Sequence, residues 1–202
     1  MTDSQQIVYV VEDDEAVRDS LEMMLVSMEY KVETFPTANV FLEGYDESMA
    51  GCIVLDIRMP GMDGMELQKA LNSKNSILPI IFVTGHGDVP MAVEAMQQGA
   101  IDFVQKPYRE QELLEKIKAA LELDAEQRTS LIEKKEILRK LEELTPREQE
   151  IMDMMIDGNA NKVIAIDLDI SQRTVEIHRS RVMHKMGTHS LAHLVRMIMS
   201  VR

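Results

Sequence analysis

Up to about residue 107 the sequence alternates short apolar runs with longer amphipathic stretches, and this alternation restricts the fold more than any other feature. Residues 7–11, 31–35, 52–55, 80–84 and 102–105 read as five strands. Four of these are nearly continuous apolar runs or are rich in β-branched and aromatic residues, as expected of a sheet covered on both faces. Between them, residues 15–28, 38–45, 64–72 and 89–98 carry helical spacing. In the first of these Val17, Leu21, Met24, Leu25 and Met28 fall on one stripe. The pattern predicts an α/β doubly wound five-stranded parallel sheet with right-handed crossovers. Such sheets place their functional crevice beyond the carboxyl ends of the strands.

From Tyr108 the spacing stays helical to about Leu144. Leu113, Leu114, Ile117 and Leu121 form a stripe able to cover the sheet, whereas residues 124–139 are charged on most sides. A heptad seam through 114, 117 and 121 would also contain Asp124 and Arg128, which argues against a coiled coil and for a helical spacer. Thr145-Pro146-Arg147-Glu148 is then a helix start: Thr145 caps, Pro146 suits the first turn and Glu148 completes a capping box. Three more helices are predicted at residues 161–168, 172–186 and 191–201. The expected organisation is a sheet domain over 1–123, a helical linker over 124–141 and an all-α domain over 142–202.

The net charge of −13 is distributed unevenly. Residues 1–123 hold 9 Lys/Arg against 22 Asp/Glu, while residues 145–202 hold 8 against 7 together with four of the five histidines. Such asymmetry implies different partners for the two parts. The single cysteine, Cys52, sits in an apolar run, reads as a small core residue and forbids an intrachain disulfide. The first residues, MTDSQQ, lack the basic stretch of a signal peptide, and no run approaches the roughly 20 apolar residues of a membrane span. A soluble, cytoplasmic protein with no membrane partner is expected.

Three predicted strands end in chemically capable residues: Glu12-Asp13-Asp14, Asp56 and Thr84. The fifth strand is followed by Lys106-Pro107. The sheet rule gathers all four loops at one edge. Clustered carboxylates suit a hard cation such as Mg²⁺, and a nearby lysine and hydroxyl suit phosphoryl oxygens. Glu12-Asp13-Asp14, Thr84 or Lys106 alone is consistent with helix capping, a strand end or solvated surface; Asp56 at the tip of an apolar strand is unusual even alone, and the convergence of all four is what points to a site. Leu55-Asp56-Ile57-Arg58-Met59-Pro60-Gly61-Met62-Asp63-Gly64, Thr84-Gly85-His86-Gly87-Asp88, Glu12-Asp13-Asp14 and Lys106-Pro107 together resemble the signature of response-regulator receiver domains. The resemblance implies that Asp56 is the phosphoacceptor for a sensor histidine kinase. It implies Mg²⁺ ligation by Asp13, Asp56 and the backbone carbonyl of Arg58, with Glu12 acting through water. Thr84 and Lys106 would bind the phosphoryl oxygens, and Phe103 would be the switch aromatic. Val89, Met91, Val93, Ala95, Met96 and Ala100 would belong to a phosphorylation-dependent dimerisation face. The family usually has aspartate where Glu12 stands, and its Lys-Pro bond is commonly cis.

In the C-terminal part, Asp167-Leu168-Asp169-Ile170-Ser171-Gln172-Arg173-Thr174 has the form of a helix-turn-helix junction, with Ser171 capping the second helix. On composition alone this part fits a small protein-binding domain equally well. Leu144-Thr145-Pro146-Arg147-Glu148, Gly158, Asn161-Lys162, Ile164-Ala165, Ile170-Ser171, Thr174-Val175, His178 and Lys185-Met186 are similar to LuxR-type DNA-binding domains. The whole chain thereby resembles the NarL/FixJ subfamily of response regulators. That implies a transcription regulator that is a homodimer when phosphorylated, with double-stranded promoter DNA and RNA polymerase as partners. Glu176, Ile177 and Ser180 would face base edges, and Arg173, Thr174, Arg179, Arg181 and Lys185 would contact phosphates. Two other classes remain open on the residues themselves: a Mg²⁺-dependent phosphatase or phosphotransferase, and a regulator acting only through protein contacts.

Overall fold

The computed structural model describes residues 6–85 and 89–202, with the side chain of Val89 also outside it. Residues 1–5, His86-Gly87-Asp88 and the Val89 side chain, for which the sequence carries expectations, lie outside the described residues. Among the described residues the chain divides after Arg128 into two compact units.

The first unit is built on strands β1 (Ile7–Val11), β2 (Val32–Phe35), β3 (Gly51–Leu55), β4 (Ile80–Thr84) and β5 (Asp102–Gln105). They form one sheet in the order β2-β1-β3-β4-β5 with every pairing parallel. The order reverses between β1 and β3, so their carboxyl ends flank the switch point at which parallel sheets hold ligands. β3 and β4 are buried at every residue, which accounts for their uninterrupted apolar sequence. Helices α1 (Glu15–Ser27), α2 (Ala38–Gly44), α3 (Gly64–Ser73), α4 (Val89–Gln97) and the 33-residue α5 (Glu110–Glu142) follow the strands in alternation. The two faces of the sheet carry separate cores. Tyr9, Phe41, Leu55, Leu67 and Phe82 lie in one, and Val10, Leu25, Val54, Leu113 and Ile117 in the other. Cys52 is a buried free thiol, pushed up from its ordinary range by burial.

The strand edges differ from expectation by a residue at two places. β2 begins at Val32 rather than 31, and β3 begins at Gly51 rather than 52. Gly51 has φ 134°, and a Cβ there would lie 1.8 Å from the Ile7 carbonyl oxygen, so only glycine lets β3 start this close to β1. The Gly51 amide donates to Asp124 Oδ2 at 3.0 Å.

The second unit contains the end of α5 and helices α6 (Pro146–Ile156), α7 (Asn161–Asp167), α8 (Gln172–Lys185) and α9 (Leu191–Met199). Thr145 and Glu148 form the expected capping box at the start of α6. Ile151, Met155, Ile164, Val175, Val182, Leu194 and Ile198 build its core, against which Ile137 and Leu141 pack. The stretch read as linker therefore contributes to both units, because Asp124 and Arg128 belong to the first. Among the described residues no helix is long and apolar enough to cross a membrane.

Candidate functional site

β1, β3 and β5 deliver their next residues to one edge of the sheet: Glu12 and Asp13, Asp56, and Lys106. One carboxylate oxygen from each of Glu12, Asp13 and Asp56 lies within 4.8 Å of the others. Glu12 and Asp56 are buried, at 4% and 7% exposure, while Asp13 is open to solvent. Lys106 Nζ donates to Glu12 Oε2 at 2.6 Å and to Asp56 Oδ1 at 3.3 Å. The other Asp56 oxygen, Oδ2, accepts from the Arg58 amide at 2.8 Å. That bond holds the Arg58 backbone beside the acid. Thr84 is buried at the end of β4, and its carbonyl accepts from the Lys106 amide at 2.9 Å. Phe103 stands opposite Phe82 in the β4–β5 register and is half-buried. The Lys106–Pro107 bond is cis.

α3 reaches this edge because Gly64 has no side chain. A Cβ at Gly64 would lie 2.4 Å from the Asp56 carbonyl oxygen, and its amide donates to the Ile57 carbonyl at 2.9 Å. Burial pushes the Glu12 and Asp56 carboxyls above their ordinary range, against the pull of Lys106. For Lys106, burial acts downward, but the hydrogen bonds and charges of Glu12 and Asp56 outweigh it and the net direction is upward. A charged ammonium thus sits between two partly desolvated acids. The donor set is entirely hard oxygen and carries more negative charge than one ammonium can match, which fits a divalent cation of the Mg²⁺ type.

In the second unit α7 and α8 are joined through residues 168–171. Asp169 adopts φ 51°, the left-handed turn conformation that aspartate tolerates better than most residues. Ser171 caps α8 by accepting from the Thr174 amide at 3.0 Å, and Arg147 Nη2 fixes the turn by donating to the Leu168 carbonyl at 2.7 Å. Val175, Val182 and Met186 point into the core as expected, and His178 is half-buried. Arg173, Glu176, Ile177, Ser180 and Arg181 are exposed on the opposite face, flanked by the half-buried Thr174 and Arg179.

Matches to family models cover both units. The model for the response regulator receiver domain matches residues 8–118, and that for the bacterial regulatory proteins of the luxR family matches residues 142–198. The response regulator TodT of Pseudomonas putida is 43% identical over 196 residues, covering 97% of this chain and 86% of its own. The transcriptional regulatory protein FixJ of Bradyrhizobium diazoefficiens is 43% identical over 192 residues, covering 95% and 94%. This chain is a response regulator of the NarL/FixJ subfamily. Among solved structures, the response regulator StyR matches with a TM-score of 0.88 at 44% identity, over 96% of this chain and 98% of that one. Full-length FixJ matches with a TM-score of 0.59 at 42% identity, over 98% and 97%. The regulator therefore pairs a receiver with a LuxR-type helix-turn-helix, the build of a phosphorylation-responsive transcription regulator, and the named relatives are regulators rather than enzymes.

Lys185, expected to contact DNA phosphates, also has partners within the helical unit: it donates to Glu148 Oε2 at 2.6 Å and to the Glu143 carbonyl at 2.9 Å. The buried Glu148 also accepts from the Thr145 amide at 2.9 Å. The two donors share one oxygen: Glu148 Oε2 takes the Thr145 amide of the capping box and the Lys185 ammonium, which comes from 37 residues away and gives the buried carboxylate a partner of opposite charge. Lys185 and Thr145 hold Glu148 down to about 2. Its pairing therefore stabilises the fold above the ordinary glutamate value of 4.5, and that stability is lost as pH falls from there toward about 2. Glu148→Gln is expected to lower the stability of the helical unit by roughly 2 kcal/mol at pH 7. Calorimetric unfolding of the whole chain should show that gap closing as the pH is lowered to about 3; a gap independent of pH counts against the pairing.

Proposed function

We propose that the regulator accepts a phosphoryl group on Asp56 from a sensor histidine kinase, dimerises through the receiver and binds promoter DNA through α8. The observation that carries this reading is Lys106, whose ammonium lies 3.3 Å from Asp56 Oδ1 at the carboxyl edge of the sheet. In the transfer, an Asp56 oxygen forms a bond to phosphorus as the phosphohistidine P–N bond breaks, and the imidazole leaves with the electron pair. Lys106 and the Thr84 hydroxyl bind the phosphoryl oxygens, exchanging the carboxylate partners of Lys106 for a more highly charged one. Asp13, Asp56 and the Arg58 carbonyl would hold Mg²⁺, with Glu12 acting through water. When bound there, Mg²⁺ supplies positive charge to offset the phosphoryl oxygens.

Phosphorylation adds about −1.5 to −2 charges. Thr84 moving toward them vacates space for Phe103, and the response reaches α4 and β5. The expected dimerisation face is split in the folded receiver: Ala95 and Ala100 are buried, Met91 is half-buried, and Val93 and Met96 are exposed beside Ala92 and Gln97 in a shallow apolar groove. The exposed pair is the part available to a second copy. A shift from 1% to 99% active needs about 5.5 kcal/mol, which phosphate and dimer contacts supply jointly. On α8, Glu176, Ile177 and Ser180 face base edges, and Arg173, Thr174, Arg179, Arg181 and Lys185 contact phosphates. Few cations per copy make a dimer on paired half-sites the binding form. RNA polymerase is the onward partner, in the cytoplasm.

Light scattering and DNA titration at fixed salt, with and without acetyl phosphate and Mg²⁺, test this scheme. Wild type is expected to dimerise and to bind DNA at least about tenfold more tightly, and Asp56→Asn to do neither. If Asp56 is phosphorylated while oligomeric state and DNA binding stay unchanged, the output half of the scheme is wrong and the receiver half stands.

A further inference from the structure

Arg18 stands where helix electrostatics disfavour it. It lies in the first turns of α1, whose amino-terminal end carries partial positive charge and already has Asp14 as cap and Glu15 in its first turn. Its guanidinium turns back across that end. Nη1 donates to the Glu12 carbonyl at 2.9 Å and to the Asp13 carbonyl at 3.3 Å. Although Asp14, Glu15, Asp19 and Glu22 are its sequence neighbours, Arg18 forms no ion pair among the described residues. A cation at the wrong end of a helix, held by carbonyls rather than by adjacent carboxylates, breaks a local rule, and such departures mark functional positions.

The two carbonyls belong to the two residues whose side chains converge with Asp56 at the acidic pocket. Three carboxylates at this spacing repel one another, so the backbone bearing two of them has to be held in place for their oxygens to converge. Lys106 opposes the repulsion by bonding to Glu12 and Asp56 themselves, and so competes for oxygens a metal ion would use. Arg18 acts on the same loop from behind and leaves every carboxylate oxygen free. We infer that Arg18 is a positioning residue for the divalent-cation site, clamping the Glu12–Asp13 backbone so that both side chains present to the ion. The inference rests on the Mg²⁺ reading given above.

The sign of the effect separates positioning from charge. Removing a cation near an anionic pocket would by itself tighten Mg²⁺ binding. Losing the clamp weakens it, and the loss of groups that orient metal ligands typically costs about 10- to 100-fold in affinity. Mg²⁺ is to be titrated calorimetrically into the full-length wild type, Arg18→Ala and Arg18→Lys at constant ionic strength. In parallel, the acetyl phosphate reaction is followed across Mg²⁺ concentration, and thermal unfolding checks that each variant is folded. Arg18→Ala is expected to bind Mg²⁺ about tenfold more weakly. Arg18→Lys, which keeps the charge and a donor but not the rigid planar group that sets where Nη1 sits, should fall between it and wild type. At saturating Mg²⁺ the phosphorylation rate should return to within about twofold of wild type, the split expected when ion affinity alone is lost. Unchanged or tighter Mg²⁺ binding by folded Arg18→Ala overturns the inference and leaves the metal site standing. If wild type itself gives neither Mg²⁺ heat nor Mg²⁺-dependent phosphorylation, the metal reading fails first and Arg18 loses its role with it.

Discussion

Arg128→Ala is expected to destabilise the receiver by about 3–5 kcal/mol, the usual cost of leaving a buried charge without its ionic partner. The charge is Asp124, on α5 and 0% exposed. It accepts from Arg128 Nε at 2.8 Å, from the Gly51 amide at 3.0 Å and from Gln6 Nε2 at 3.2 Å. Gln6 Nε2 also donates to the Leu121 carbonyl at 2.6 Å, and Arg128 Nη2 to the Met49 carbonyl. This network ties α5 to the amino-terminal ends of β1 and β3, the edge of the sheet opposite the acidic pocket. Without Arg128, two neutral donors remain for a carboxylate that water cannot reach. Arg128→Ala combined with Asp124→Leu should recover much of the loss, because replacing both partners with apolar groups removes the desolvation cost as well. Urea unfolding of the two single variants and the double measures this as a cycle. Single and double losses that simply add would mean that the pair is not coupled.

The same residue shows where sequence reasoning stops. Asp124 and Arg128 are visible in the sequence as a charged i, i+4 pair, and charge in an apolar stripe argued against a coiled coil and for a linker from residue 124. Whether such a pair is solvated or sealed depends on what covers it. Here the cover comes from Gln6, Met49 and Gly51, more than 70 residues distant in the chain. Periodicity contains no record of those partners. Glu148 behaves alike: its capping box is local and legible, whereas its bond to Lys185, a residue that the family resemblance assigned to DNA phosphates, spans 37 residues.

What was legible follows from local physics. Continuous apolar runs become β3 and β4 because both faces of those strands are covered. Thr145 and Ser171 cap the helices they precede, as Asp14 does, because their side chains meet amides left free by helix geometry. The pocket was legible for a topological reason: in a parallel sheet every strand ends at the same edge, so chemically capable residues after successive strands must meet there. Topology gave the meeting but not the pairing. The acids are held by two cations acting differently, Lys106 on the carboxylates and Arg18 on the backbone.

That division predicts the larger catalytic effect for Lys106. Lys106→Ala removes the ion-pair partner of Asp56 among the described residues, the group beside the oxygen on which the proposed phosphoryl group would form. Loss of a preorganised electrostatic partner costs about 10²–10³ in rate, so phosphorylation by acetyl phosphate should slow by that factor at saturating Mg²⁺. Mg²⁺ affinity should not fall, since the variant also removes a competitor for Glu12 Oε2 and Asp56 Oδ1. Lys106→Arg should recover little of the rate, because a planar fork does not replace a compact ammonium between two oxygens. The two readouts together guard against misfolding, which would lower Mg²⁺ binding as well as the rate. A Lys106→Ala rate within about tenfold of wild type, in protein that still binds Mg²⁺, would mean that the ammonium stabilises the resting carboxylates but not the transfer. Phosphoryl charge would then have to be met by Thr84 and the cation site alone.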